Sequence, residues 1–126
     1  MTINSAYIFT VFISVVVLFQ LALALGVPWG NIAMGGRYPG KFPPPMRIAA
    51  IVQALVLAVF AYVVLVRAHV LESSFYSLAE VAVWIVVALM GLSFVMHLIT
   101  PSKWERIIWT PVVIVLFTCS LIVALS

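Results

Sequence analysis

The chain has 126 residues, of which 67% are hydrophobic and 7% charged, with a mean hydropathy of +1.34. A soluble domain is nearer half apolar and a quarter charged, so this composition excludes one and points to an integral membrane protein. Six Lys/Arg stand against three acids, a net charge of +3, and no basic cluster of the kind that binds nucleic acid is present.

Four apolar runs lie at about 6–26, 47–68, 78–99 and 107–125. Each is close to the ~20 residues a helix needs to cross the hydrocarbon core. Alternating barrel patterning is missing, and a backbone in lipid must satisfy its own hydrogen bonds. The expected fold is all-α, a four-helix transmembrane bundle in one domain covering residues 1–126. The first run follows Thr2-Ile3-Asn4-Ser5. It lacks a basic residue before it and is long for a secretory core, so it reads as a retained span despite the cleavage-like Ala22-Leu23-Ala24.

The first connection, Val27 to Pro45, holds five of the seven prolines and four of the six glycines. Such a stretch forms neither helix nor strand. It also carries Trp29, Ile32, Tyr38 and Phe42, too apolar to remain in water. An ordered loop folded back on the bundle is expected. The second run should start after Pro43-Pro44-Pro45, because proline cannot continue a helix from its N-terminal side.

Two Ser-x-x-Glu pairs precede apolar runs: Ser77 with Glu80, and Ser102 with Glu105. Both match the capping box, which assigns helix-capping roles to Ser77, Glu80, Ser102 and Glu105. Glu72 is the only other acid, and Asp is absent. This leaves little material for acid–base catalysis. Pro111 lies inside the fourth run and should kink it.

Arg37, Lys41 and Arg47 flank the first connection and Lys103 and Arg106 the third, whereas the opposite side has only Arg67. This five-to-one bias puts both connections in the cytoplasm and both termini outside. Trp29, Trp104 and Trp109 then form an aromatic belt at the inner interface, and Tyr7 and Tyr76 at the outer one.

Gln20 and Gln53 are the intramembrane polar residues, each about six residues from the inner end of its run. At 1.5 Å per residue both lie ~9 Å deep. They form either an interhelical amide pair or a polar binding site, the pair being the simpler reading. Ala50, Ala54 and Ala58 make a small-residue stripe that admits close packing, by the first helix or by a second protomer.

His69 and His97 belong to opposite ends of the bundle and cannot share a metal. Ser93, His97 and Thr100 share one face of the third helix. Cys119 is the single cysteine, which excludes an intrachain disulfide. Gly35-Gly36-Arg37 offers backbone N–H groups and a guanidinium to an anion such as a lipid headgroup. Catalytic residues, metal ligands and cofactor motifs are not predicted. A ligand- or partner-binding site is framed by Trp29, Asn31, Arg37, His97, Trp104 and Glu105, with Glu105 expected to meet Arg37 or Arg47.

The stretch Gly26-Val27-Pro28-Trp29-Gly30-Asn31-Ile32-Ala33-Met34-Gly35-Gly36, the basic and proline-rich residues after it, and Pro101-Ser102-Lys103-Trp104-Glu105-Arg106 resemble a group of small bacterial four-span membrane proteins of unassigned function. The resemblance covers most of the chain. It implies a bacterial inner-membrane protein and carries no activity with it. Small multidrug transporters bear an acid in their first helix, which this chain lacks. Dual-topology proteins keep their charge bias near zero, which this chain does not.

Three function classes follow. The first is a non-enzymatic module binding a lipid, a small apolar ligand or a partner membrane subunit. The second is a small oligomeric transporter or channel. The third is a membrane enzyme acting at the interface. Membrane lipids are the expected partners, with a homo-oligomer or a partner subunit as further ones; nucleic acid is not.

Overall fold

A computed structural model describes residues 2–126 of the protein. It has four long helices: α1 Thr2–Ala24, α2 Pro44–Arg67, α3 Tyr76–Ile99 and α4 Lys103–Leu125. All four are long and apolar enough to cross a membrane, and there are no strands among the described residues. The chain is a multi-pass helical membrane protein. The helices run up and down, each beside its sequence neighbour, with α4 closing back on α1. The first and third connections form one end of the bundle, called here the loop end. The termini and the second connection form the other.

The helix starts differ from the sequence expectation for local reasons. α1 takes in Ser5, which is buried with Ala6 in the core, so the polar tetrapeptide is its first turn. α2 begins at Pro44 and not after Pro45. Proline has no N–H to lose in a first turn and its φ is already helical. α3 starts at Tyr76, with Phe75 at the cap position and no side-chain cap. The Ser77–Glu80 capping box therefore does not form. Ser73 Oγ accepts the Phe75 N–H at 3.1 Å instead, and Tyr76 is held by stacking on His69 with ring centroids 4.6 Å apart. Both fix the chain before Ser77 is reached, so Ser77 falls inside the first turn and Glu80 lies exposed on the next.

At the end of α2, His69 adopts φ +62°. The bonds from His69 N to Val66 O, 3.1 Å, and from Val70 N to Leu65 O, 3.0 Å, make a Schellman turn, with histidine where glycine is usual. The role of His69 is thus geometric, with its ring on Tyr76.

The main core runs along the bundle axis through Phe9, Ile13, Leu57, Val64, Val83, Val86 and Leu116. A second cluster, around Phe19, Leu23, Ala33, Phe42, Ala50 and Trp109, lies beneath the first connection. Ala50 and Ala54 are buried while Ala58 is exposed, so the alanine stripe serves packing within the chain over its first two positions. The contact between α2 and α3 is the thinnest of the four between neighbouring helices.

Candidate functional site

The first connection is built as an ordered cover. It contains two 3₁₀ turns, Gly30–Ile32 and Met34–Gly36. Gly30 N donates to Gly40 O at 2.9 Å and pins the loop across its middle. A Cβ on Gly30 would come within 1.8 Å of the Tyr38 carbonyl oxygen, so only glycine permits this crossing. Arg47 closes the base of the loop, its Nε donating to Ala24 O at 2.8 Å. A cation on the last carbonyls of α1 is well placed against the helix dipole.

The third connection and the start of α4 meet the first connection through three bonds. Ser102 Oγ donates to Asn31 O at 2.8 Å, and Trp109 Nε1 donates to Ile32 O at 2.9 Å. Gly35 N donates to Glu105 Oε2 at 2.9 Å. Gly35 has φ +68°, a backbone state that L side chains rarely adopt. The two loops pack together as the sequence suggested, but Glu105 meets neither Arg37 nor Arg47 in a salt bridge. A backbone N–H reaches the carboxylate first, and Arg47 is engaged with the end of α1. Nor do the two glycines hold an external anion: Gly35 N serves Glu105, and Gly36 N bonds Ala33 O at 2.9 Å.

Ser102 caps α4, its Oγ accepting from Glu105 N at 3.3 Å. The reciprocal half of the capping box is absent, because the Glu105 side chain turns inward. Oε2 also accepts from Thr100 Oγ1 at 3.1 Å, and Oε1 lies 3.7 Å from His97 Nε2. His97 Nδ1 lies 2.7 Å from the Ser93 carbonyl oxygen. A carbonyl only accepts, so Nδ1 carries a hydrogen and Nε2 is the atom turned to the carboxylate. Glu105 is 7% exposed, so an acid is buried with two hydrogen bonds to Oε2 from within the protein.

Beneath this cluster is a cavity of about 890 Å³ in the loop-end half of the bundle. Its upper wall carries Gln20, Gly35, Arg37, Gln53, Ser93, His97, Thr100 and Glu105. Its deeper wall is apolar, from Ile13, Val16, Leu57, Phe60, Met90 and Leu116, with Phe19 and Trp109 on one side. Phe19 and Trp109 are in tilted contact, centroids 4.7 Å apart, and Trp29 stacks parallel to Phe19 at 6.1 Å. The α2 residues Gln53 and Val56 and the α3 residues Leu89, Leu92 and Met96 line the cavity yet are exposed. The cavity thus opens sideways between α2 and α3, where lipid would lie.

Gln20 and Gln53 do not form the expected amide pair. Both face the cavity, and neither side chain makes a hydrogen bond among the described residues. The observed helix ends explain the mismatch. Gln20 is four residues from the end of α1 but Gln53 nine from the start of α2, so they lie about 6 and 13 Å in.

Of the other predicted site residues, Arg37, His97 and Glu105 line the cavity, whereas Trp29, Asn31 and Trp104 do not. Asn31 contributes a carbonyl to Ser102, and Trp104 is exposed. Trp109, expected in the interfacial belt, is 7% exposed and belongs to the cavity wall. Its spacing of four from Glu105 puts both on one face of α4. That was the signal available for it. A smaller cavity, about 210 Å³, lies at the opposite end against His69, Glu72, Ser73 and Tyr76.

Fold and cavity together define a four-span helical membrane protein with a laterally open pocket. Neither a family model, nor a curated protein, nor a solved structure matches the chain.

Proposed function

We propose that this chain is a non-enzymatic membrane module that binds an amphipathic, lipid-like molecule in the cleft between α2 and α3. The observation that carries the reading is the cavity itself, apolar in depth, polar at one end and open sideways to lipid. Ligand pockets commonly combine an apolar lining with a few convergent polar groups, in volumes of about 300–1,000 Å³. An apolar chain would enter between the helices, with its head held near Gln20, Gln53 and His97. The loop end would face the cytoplasm of a bacterial inner membrane, on the support of the Lys/Arg bias and the resemblance. A transport path is less well supported, because the polar residues stop at Gln53 and the deeper wall is apolar.

Purification in polymer-bounded native membrane, followed by mass spectrometry of the retained lipids, tests this. One class of amphiphile should be enriched over the bulk membrane. Ala49→Trp, which puts bulk into the mouth, should remove the enrichment. Lipids that mirror the bulk membrane in both proteins would overturn the proposal.

A further inference from the structure

The charged groups on the cavity wall are Arg37, His97 and Glu105. Two donors within the protein, Gly35 N–H and Thr100 Oγ1–H, meet Oε2 of Glu105, and His97 Nε2 lies 3.7 Å from Oε1. The neighbouring cation Arg106 is spent on the Thr100 carbonyl oxygen at 2.6 Å. Arg37 is exposed, so its charge stays at the rim in water. Below the rim the wall therefore carries no Lys or Arg to meet an anionic head. What it does offer is two amides, Gln20 and Gln53, each with donors and an acceptor unused.

From this we infer that the site takes an uncharged headgroup, a hydroxyl or ester carbonyl on a long apolar chain, and rejects an anionic one. The inference rests on the binding role proposed above. An anionic head drawn down to the amides would lose its water without gaining a counter-charge, and buried unpaired charge is strongly disfavoured. A hydroxyl can accept from an amide N–H or donate to an amide oxygen without bringing a charge into the cavity. Either a diacylglycerol-type lipid or an isoprenoid alcohol has this chemistry.

Trp109 on the cavity wall supplies the readout. A variant retaining Trp109, with Trp29, Trp84 and Trp104 changed to Phe, is placed in phosphatidylcholine nanodiscs. A second variant retains only Trp84, which is 46% exposed on α3 and reports the surrounding lipid. Each is titrated with a dibrominated long-chain alcohol, a fluorescence quencher, and with the sulfate ester of the same alcohol. The alcohol should quench Trp109 at about tenfold lower concentration than the sulfate, as expected from the cost of desolvating charge. Trp84 should not separate the two beyond their partitioning into the disc. Gln20→Leu with Gln53→Leu should abolish the difference at Trp109. Reversal of quenching by an unbrominated diacylglycerol or by an isoprenoid alcohol tells which source fits.

Equal or stronger quenching by the sulfate would overturn the headgroup assignment and leave the cavity reading standing. Quenching of Trp109 no greater than that of Trp84 by either probe would remove both. If the tryptophan replacements do not fold, native mass spectrometry of the unaltered protein with equimolar alcohol and sulfate decides the same point. Preferential retention of the alcohol supports the assignment, and preferential or equal retention of the sulfate overturns it.

Discussion

At the residue scale, Glu105 joins more of the site than any other side chain. It accepts from the first connection through Gly35 and from the third through Thr100, and it faces His97 of α3. Hydrogen bonds to a charged group contribute about 1.5–3 kcal/mol, and a buried donor left without its acceptor costs about 1–3 kcal/mol. Glu105→Ala strands the Gly35 N–H and the Thr100 hydroxyl, and should cost about 3 kcal/mol. Glu105→Gln keeps one acceptor oxygen and should cost about half as much. Thermal melts in detergent give the ordering, and equal losses for the two variants would show that the bonds to Oε2 contribute nothing. Proteolysis within residues 30–42 should rise in the alanine variant first, since that loop loses one of its ties to α4.

At the element scale, the first connection is held by a crossing that one added carbon would break. The Cβ of Gly30→Ala would overlap the Tyr38 carbonyl oxygen and lie 2.7 Å from that of Gly40. Both are backbone atoms and cannot swing aside. Overpacking of this kind costs about 1–3 kcal/mol. The loss should fall on the loop, because the four helices keep their own core. Hydrogen exchange should accelerate over residues 28–42 while protection within α1 and α4 is retained. Uniform acceleration across all four helices would mean that the loop and the bundle unfold as one unit. The same element explains why Trp109 is buried: its indole N–H needs a partner, and Ile32 O supplies it from the loop above.

At the scale of the whole molecule, the expected orientation rests on charge placed in the loops and at the helix ends. Arg37, Lys41, Arg47, Lys103 and Arg106 lie at the loop end, and Arg67 at the other. With the loop end in the cytoplasm, a cysteine at position 41 on a Cys119→Ser background should resist an impermeant thiol reagent in intact cells. A cysteine at position 126 should react. The reverse pattern would invert the molecule and place the polar end of the cavity outside. Either way the cavity keeps its sideways opening, since that depends on the thin contact between α2 and α3 and not on which way up the bundle sits.

Number, type and approximate extent of the helices were legible in the chain, because a backbone in lipid has few ways to satisfy itself and ~20 apolar residues are needed to cross. The cap at Ser102 was legible too, since it depends on residues three apart. The cap expected at Ser77 was not met, because Ser73 and the His69–Tyr76 stack had already fixed the chain. The two glutamines were visible as polar residues in apolar runs, but not their separation along the bundle, which follows from prolines entering the first turn of α2. The pairing of Glu105 with Gly35 joins residues seventy positions apart. Nothing in local spacing distinguishes that partner from Arg37 or Arg47. Whether helices meet closely or leave a cleft depends on how side chains from four segments fill one volume. The sequence by itself thus determined a membrane bundle and the Ser102 cap, and only the tertiary structure decided that the glutamines, His97 and Glu105 share the wall of one cavity.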